Sequence, residues 1–396
     1  MKYVVVGGAG AMGRITVRDL VETCTPRDQI VIADYDLKKA RALSDSYNDS
    51  RVSAVFVDVK NVAQTSKTLQ GAFAVINSAQ YQLNLLVMEA ALAAKVHYLD
   101  LGGLFHVTRQ QLEFDDRFKR IGRTAILGMG AAPGITNVLA RFAAEQLDTV
   151  REIHARIGSM DKTKYEPKPA LAVSYSLKTI LEEFSYEPAI FTKGEFKFIK
   201  PMSGDTPHRF PAPIGLRRPM YTIHSEVATL PLSFKDKGVQ EVTFKIAFDD
   251  EFVDRVRFLR DLGLASHEPV QVGDVQVAPI DIVNRVAMSQ PPSKPVGPIR
   301  QYEVVRAIVK GTRKRKKITI VVDCHTSGMP KWGVGLDVNT GSPPAIVAQM
   351  LANGEITVTG AIPAELAVPA EPFFKHLKKR RLLVKHKTYS GWSFRT

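Results

Sequence analysis

The sequence predicts an α/β protein: a parallel-sheet domain at the N-terminus and a second α+β domain after it. Three observations carry that expectation. Short apolar runs alternate with helical runs across the first 130 residues. A glycine-rich loop, Gly8–Gly13, separates the first strand from the first helix. After Pro133-Gly134 the alternation stops and prolines become frequent.

The strands read as Tyr3–Val6, Gln29–Ala33, Val52–Val57, Phe73–Ile76, Val96–Leu99 and Thr124–Leu127. Between them lie helical runs at Met12–Glu22, Leu37–Tyr47, Val62–Leu69, Leu83–Ala94 and Arg109–Ile121. Regular strand–helix repetition implies parallel strands with right-handed crossovers. The next segment offers a helix at Thr136–Gln146 and strands at Glu152–Ile157, Glu241–Phe248, Val270–Val272 and Gln301–Val309. Helices at Phe252–Leu262 and Pro279–Ser289 would cover one face of this largely antiparallel sheet. The tail carries helices at Pro344–Ala352 and Pro372–Lys379 and short runs at Ile356–Val358 and Leu382–Lys385. The expected division is 1–131, 132–340 and 341–396, the last packing back on the first.

Composition narrows the class. With 396 residues, two domains are the default. Hydrophobic residues at 45% and charged residues at 24% exclude a disordered chain or a fibre. No apolar run is long enough to span a bilayer, and no signal-peptide pattern opens the chain. The two cysteines, Cys24 and Cys324, lack metal-ligand spacing, so neither a disulfide framework nor a metal site is expected. A reducing cytoplasm fits. Lys and Arg number 54 against 40 Asp and Glu, a net charge of +14. Part of the excess is clustered, in Arg313–Lys317 and Lys378–Arg381. The first cluster reads as a hairpin turn and the second as the C-terminus of a helix, both solvated. No nucleic-acid-binding motif accompanies them, so neither nucleic acid nor membrane is expected as a partner.

The loop Gly8-Ala9-Gly10-Ala11-Met12-Gly13 is G-x-G-x-x-G between a strand and a helix. Gly8 is expected to make the tight turn, Gly10 to admit a pyrophosphate, and Gly13 to let helix and strand pack closely. Free N–H groups at the helix start, including those of Ala11 and Met12, would face the phosphates. Asp34 ends the second strand 21 residues beyond Gly13, where a carboxylate accepts from the adenosine ribose hydroxyls. It repels a 2′-phosphate, and Asp36 adds to that, so NAD is expected over NADP; Lys38 and Lys39 argue the other way. A Rossmann domain follows from this context. Ligands on such sheets sit beyond the carboxyl ends of the strands. That rule selects Asp58 at the adenine edge, Asn77, Ser78 and Ala79 after the fourth strand, and Asp100 after the fifth. Asn77 and Asp100 also suit plain turns.

The segments VVVGGAGAMGRITVRDL, IADYDLKKA, VINSAQYQLNLLVMEAALAAKVHYLDLGG and GMGAAPGITNVLARFAAEQLD resemble the saccharopine dehydrogenase family, within it most closely the bacterial L-lysine 6-dehydrogenase branch. Gly341–Gly360 and Pro363-Ala364-Glu365 resemble its closing segment. The similarity is thin between residues 160 and 330, where substrate would be chosen, and the stretch between Gly103 and His106 is one residue short. The resemblance implies NAD(P)-linked oxidation of a C–N bond, with L-lysine as the leading substrate. It also implies a homo-oligomer, with a dimer as the smallest unit. Saccharopine or carboxynorspermidine are alternative substrates, and a non-catalytic NAD-binding regulator is an alternative of another class.

Amine oxidation needs a base within hydrogen-bond reach of the amine. Asp100 and His106 are candidates from the first domain. The run Tyr221-Thr222-Ile223-His224-Ser225-Glu226 offers His224 as base and Glu226 as partner of a substrate ammonium; a simpler reading has Ser225 capping a helix. Arg217 and Arg218 can bind a substrate carboxylate or simply face solvent. Tyr81 and Asn137 complete the substrate candidates, Asn137 because the helix begun near Thr136 points into the interdomain cleft. His97 reads as a buried structural histidine.

Overall fold

A computed structural model describes residues 1–171, 176–291 and 293–392. The elements of the first domain are β1 (Lys2–Val6), α1 (Gly13–Thr23), β2 (Gln29–Asp34), α2 (Leu37–Tyr47), β3 (Val52–Phe56), α3 (Val62–Leu69), β4 (Ala74–Asn77), α4 (Asn84–Ala94), β5 (His97–Asp100), α5 (Leu104–Leu112), α6 (Asp115–Arg120) and β6 (Thr124–Leu127). Then follow α7 (Ile135–Glu145), β7 (Thr149–Asp161), β8 (Tyr165–Glu166), α8 (Leu177–Glu183), β9 (Ala189–Thr192), β10 (Glu195–Phe198), β11 (His208–Arg209), β12 (Leu216–Arg217), α9 (Glu226–Ser233) and β13 (Glu241–Ala247). The remainder is α10 (Asp250–Asp261), β14 (Val270–Val272), β15 (Val275–Val277), α11 (Pro279–Ser289), β16 (Lys294–Pro295), β17 (Gln301–Arg313), β18 (Lys316–Thr326), α12 (Val338–Ala352), β19 (Gly360–Pro363), α13 (Ala364–Ala367), α14 (Ala370–Lys379) and β20 (Leu383–Ser390).

The first sheet runs β19-β6-β5-β4-β1-β2-β3, every pair parallel. Its central strands are apolar on both faces because helices cover both; Val4, Val5, Ile76 and Leu99 are fully buried. This is the expected Rossmann domain. The strand order reverses between β1 and β4, which opens a crevice at the carboxyl ends of those strands.

The second sheet runs β10-β9-β13-β7-β17-β18-β20 and is antiparallel except for the β13–β7 pair. One face, with Ile153, Phe244, Val305 and Ile320, packs on α7 and α9 in the same core as the first domain's α1 side. The basic run Arg313–Lys317 is the β17–β18 hairpin. Its two central residues, Lys314 and Arg315, are left-handed at φ 51° and 62°, as a twisted two-residue hairpin requires.

Several expectations need correction. The helix expected over Arg109–Ile121 is two helices, α5 and α6; the second restarts at Asp115-Asp116, whose charges suit a helix N-terminus. The tail is shared between the sheets rather than packed on the first alone. Helix α12 lies on α1, where Thr16 Oγ1 donates to Gly341 O at 2.7 Å, and β19 joins the parallel sheet. Strand β20 instead pairs with β18 in the second sheet. Nor is the cluster Lys378–Arg381 wholly solvated. Arg380 is buried, and its guanidinium donates to Asp19 Oδ2 and Oδ1 at 3.0 and 2.6 Å, tying α14 to α1. Among the described residues no helix is long and apolar enough to cross a membrane, and no cluster of His, Cys, Asp or Glu could hold a metal ion.

Candidate functional site

The first half of the site is the carboxyl edge of the parallel sheet. The left-handed residue of the glycine loop is Gly7, at φ +68°, so the tight turn falls one residue before Gly8. Gly13 fills its expected role: a Cβ there would lie 2.2 Å from Gly7 O. At Gly10 a Cβ would meet only Gly7 O, at 3.1 Å, so the side facing outward is open to a ligand. Helix α1 starts at Gly13 with no side-chain cap; Arg14 N donates to Gly10 O, and Ile15 N and Thr16 N donate to Met12 O, so the N–H groups that could serve a ligand lie in the loop just before them.

Asp34 ends β2 and is fixed from two sides. Ala9 N donates to its Oδ2 at 3.0 Å and Asp36 N to its Oδ1 at 2.9 Å. The carboxylate is thereby held against the glycine loop, where a ribose would lie. Lys39, counted toward a 2′-phosphate, instead pairs with Asp36 at 3.2 Å. Asp58 accepts from Lys60 N at 3.0 Å with one oxygen. Tyr35 and Phe56, not singled out by the sequence, meet at a 47° tilt with centroids 5.6 Å apart beside these strand ends; Tyr35 is 72% exposed. Ser78 and Ala79 lie against the loop: a Cβ on Gly7 would be 2.8 Å from Ala79 N. Ser78 Oγ is buried without a hydrogen-bond partner, although such groups are normally satisfied. The open loop and this orphaned hydroxyl fit a dinucleotide.

Behind that edge lies a sealed polar knot. Asn77 is buried; it donates to Asn84 Oδ1 at 2.8 Å and accepts from Ala79 N at 3.2 Å. Asp100, expected to hold or deprotonate an amine, is fully buried and saturated. Its Oδ1 accepts from Gly102 N and Gly128 N at 2.9 and 2.7 Å, and its Oδ2 from Tyr98 Oη and Gln111 Nε2 at 2.9 and 2.5 Å. Burial raises its pKa and these bonds oppose the rise. Asn84 Nδ2 donates to Oδ2 as well, at 3.4 Å, and five donors leave no oxygen for a substrate, so Asp100 fixes the loops after β5 and β6 instead. Asn77 likewise faces protein rather than cleft. His97 is the structural histidine expected: Thr124 N donates to its Nδ1 at 3.1 Å, and burial lowers its pKa to about 4.

His106 is exposed on α5 and stacks on Phe198 at 5.6 Å, apart from the groups below. Asn137 is buried between helices, accepting from Gly134 N at 3.0 Å and donating to Glu365 Oε2 at 2.8 Å. Arg218 sits on the surface against Asp205 at 3.3 Å. Arg217 is committed to Leu216 O at 3.2 Å and to Asp249 at 3.8 Å. The contacts of His106, Arg217 and Arg218 do not draw them into the His224 cluster, and Asn137 touches it only through Thr136, whose Oγ1 lies 3.1 Å from Asn137 Oδ1.

That cluster is the second half of the site. His224 Nδ1 lies 2.5 Å from Glu226 Oε2, and Thr136 Oγ1 donates to Glu226 Oε1 at 2.7 Å. The His224 ring stacks on Phe244 with centroids 3.8 Å apart. Burial alone would lower the His224 pKa; the charges of Glu226 and then Glu183 outweigh it and raise the pKa. The segment docks on the first domain through Ser225. Its Oγ donates to Leu104 O at 2.9 Å and accepts from Thr108 Oγ1 at 3.1 Å, so it binds the two domains together instead of capping α9.

Two residues that sequence reasoning missed complete the cluster. Glu182 and Glu183 end α8 and are buried. Gln82 Nε2 donates to both oxygens of Glu182, at 3.0 and 3.1 Å, and His267 Nε2 lies 2.8 Å from one of them. Tyr81 is close enough to Glu182 that burial, followed by the Glu182 charge, raises its hydroxyl pKa. The signal was present: two adjacent carboxylates inside the apolar helical run Ile180–Phe184 are rarely both buried without a task. Tyr81, Glu182, Glu183, His224 and Glu226 thus meet where β4 and β5 end. The arrangement can attract a cation and move a proton.

Two family models match most of the chain: the saccharopine dehydrogenase NADP binding domain over residues 4–126 and the saccharopine dehydrogenase C-terminal domain over 130–382. A carboxyaminopropylagmatine dehydrogenase from Synechocystis sp. is 24% identical, covering 95% of each chain. A carboxynorspermidine synthase from Vibrio cholerae is 23% identical over 93% of this chain and 92% of its own. The solved saccharopine dehydrogenase (L-Glu forming) from Saccharomyces cerevisiae shares the fold, with a TM-score of 0.72 at 15% identity, covering 98% of this chain and 99% of that one. The chain belongs to the saccharopine dehydrogenase family and is a nicotinamide-dinucleotide-dependent dehydrogenase.

Proposed function

We propose that this member of the saccharopine dehydrogenase family interconverts a secondary amine and its imine in a carboxylated polyamine. The observation that carries the reading is the set of buried carboxylates, Glu182, Glu183 and Glu226, beside the strand ends. Buried carboxylates favour a cationic ligand, which offsets the cost of desolvating their charge. Among the described residues His224 pairs with Glu226 and His267 with Glu182. The names of the Synechocystis and Vibrio relatives support the same substrate class.

Gly10, Ala11, Met12 and Gly13 are assigned to the pyrophosphate, Asp34 to the ribose, Asp58 to the adenine edge, and Ser78 and Ala79 to the middle of the dinucleotide. NAD is preferred over NADP, because Asp34 is a fixed carboxylate at the 2′-position and Lys39 is tied to Asp36. The dinucleotide, when bound, supplies the hydride acceptor or donor. Oxidation breaks one C–H and one N–H bond and leaves C=N; the hydride leaves carbon and the proton leaves nitrogen. His224 takes that proton on Nε2. Glu226 keeps the other ring proton on Nδ1 and stabilises the imidazolium, while Thr136 holds Glu226 in place. Glu182, Glu183 and Tyr81 hold the substrate's second ammonium.

The L-lysine 6-dehydrogenase reading keeps one supporting observation: the same carboxylates suit a short diamine. A homodimer in the cytoplasm remains the expected setting. The test is dinucleotide absorbance with NAD and NADP in parallel, against carboxynorspermidine, carboxyaminopropylagmatine, saccharopine and L-lysine. Light scattering on the same preparation reads the oligomer. Turnover of a carboxylated polyamine supports the proposal. Turnover of L-lysine alone overturns it in favour of the diamine reading, and turnover with NADP alone overturns the role given to Asp34.

A further inference from the structure

The face of the second sheet opposite His224 holds a second polar site. Strand alternation sends Val242, Phe244 and Ile246 toward α9, so Thr243 and Lys245 point the other way. On β7 it sends Ile153, Ala155 and Ile157 forward and puts His154 and Arg156 behind. Register then sets Lys245 beside Arg156, and Arg156 opposite Arg306, three cations in one row.

Two neighbouring cations on this face are answered. Asp323 takes Arg306 through two bonds of 2.6 and 2.9 Å, and Glu152 takes Lys310 at 2.7 Å. Among the described residues Arg156 and Lys245 have only neutral partners. Arg156 donates to Ala155 O, Thr243 O and Thr243 Oγ1 at 2.7, 3.2 and 3.0 Å. Lys245 donates to Gly204 O and Thr206 Oγ1 at 2.5 and 3.4 Å, with Nζ 4.3 Å above the Tyr221 ring. Burial lowers the Lys245 pKa to about 8 and that of Arg156 to about 10, so both stay cationic at neutral pH. Glu241 acts on Arg156 and Asp205 on Lys245 only at longer range, and Asp205 is already paired with Arg218. A cavity of about 180 Å³ opens between Arg156, Lys245, His154, His208 and Thr206. Arg306 Nη1 lies 3.2 Å from His208 Nε2, which leaves Nδ1–H of a neutral His208 as a further donor.

We propose that this cavity is an oxyanion site, taking a small divalent anion between Arg156 and Lys245 on the face of the second sheet away from the dehydrogenase cleft. Two desolvated cations without a counter-charge are unfavourable alone, and an anion on both offsets that penalty. His208 Nδ1–H adds a neutral donor beside the two cations.

The test is calorimetric titration of the full chain with inorganic phosphate and, separately, malonate, at constant ionic strength in chloride. Saturable binding of one anion per chain is expected. Phosphate binding without malonate binding identifies a phosphate ligand, and the reverse identifies a dicarboxylate. Lys245→Met and Arg156→Gln are each expected to weaken binding at least tenfold while NADH affinity is unchanged. In the wild type, the binding anion is expected to slow acylation of Lys245, mapped by mass spectrometry, relative to surface lysines. Binding of neither anion above chloride, or undiminished acylation of Lys245 at saturating anion, overturns the proposal.

Discussion

Replacing Glu226 by Gln tests the assignment of His224 most directly. The perturbation is nearly isosteric and removes one charge from a pair 2.5 Å apart, in which Glu226 is wholly buried. Two unit charges with centres ~4 Å apart interact by about 4 kcal/mol at an effective dielectric of about 20. A second effect acts on the proton. Thr136 Oγ1 donates to Glu226 Oε1, so it orients the Gln carbonyl toward itself and the Gln amide toward His224 Nδ1. The amide donates, Nδ1 becomes an acceptor, and the ring proton moves to Nε2. The base is then in the wrong tautomer. A misplaced general base lowers turnover by about 10²–10⁴. The expected result is kcat down by that factor, with NADH affinity unchanged in a fluorescence titration. Glu226 raises the His224 pKa in the wild type, so the acid limb of the kcat/KM profile moves to lower pH in the variant. The same linkage fixes a stability difference. The raised pKa contributes stability fully present below the unfolded value, near pH 6.5, and lost as pH rises through the folded one. The wild type is therefore expected to exceed E226Q by about 2 kcal/mol at mildly acidic pH, the size of a charged hydrogen bond, and by less in alkali. A variant with kcat within threefold of wild type and an unmoved acid limb would refute the reasoning.

Three other substitutions probe different parts. Asp34→Ser removes the carboxylate fixed by Ala9 N and is expected to raise the NADP-to-NAD ratio of kcat/KM at least tenfold, about 1.4 kcal/mol; an unchanged ratio in parallel assays counts against the ribose role. Asp100→Asn turns an amide toward donors on whichever side it lies, and each orphaned donor costs about 1–3 kcal/mol. Urea unfolding should register that loss while kcat per folded molecule stays within a few-fold; normal stability with a hundredfold drop in kcat would restore Asp100 as a catalytic group. Arg380→Met strands the Asp19 charge in the core and is expected to destabilise by about 3–5 kcal/mol. Adding Asp19→Leu should recover much of that, and a double variant no more stable than the single one contradicts the account.

Much of the first domain was legible because its signals are local. A run such as Val4–Val6 is apolar without alternation only when both faces of the strand are covered. Gly13 and Asp34 sit at fixed offsets from strand ends, and both landed where the spacing put them. His224 and Glu226 were legible as candidates for the same reason, but Glu226, expected to meet a substrate ammonium, meets His224 instead. Asp100 and Asn137 misled because a polar residue at a strand end or helix start looks alike whether it faces ligand or neighbouring loops. Their partners, Gln111 and Glu365, are remote in sequence or on another element. Glu182 was overlooked because its role depends on Tyr81 and Gln82, about a hundred residues earlier.

The sequence by itself determined the parallel sheet, its glycine loop and the carboxylate after β2, since each follows from steric and hydrogen-bonding rules over a few residues. Only the tertiary structure decided which polar groups are sealed and which line a cleft. It placed β20 in the second sheet, buried Arg380 on Asp19, and brought α8, α9 and the end of β4 together. Burial is a property of packing between distant segments. The same side chain is a structural knot when donors on several loops saturate it, as at Asp100, and the partner of an imidazole when a histidine nitrogen and one hydroxyl face it, as at Glu226.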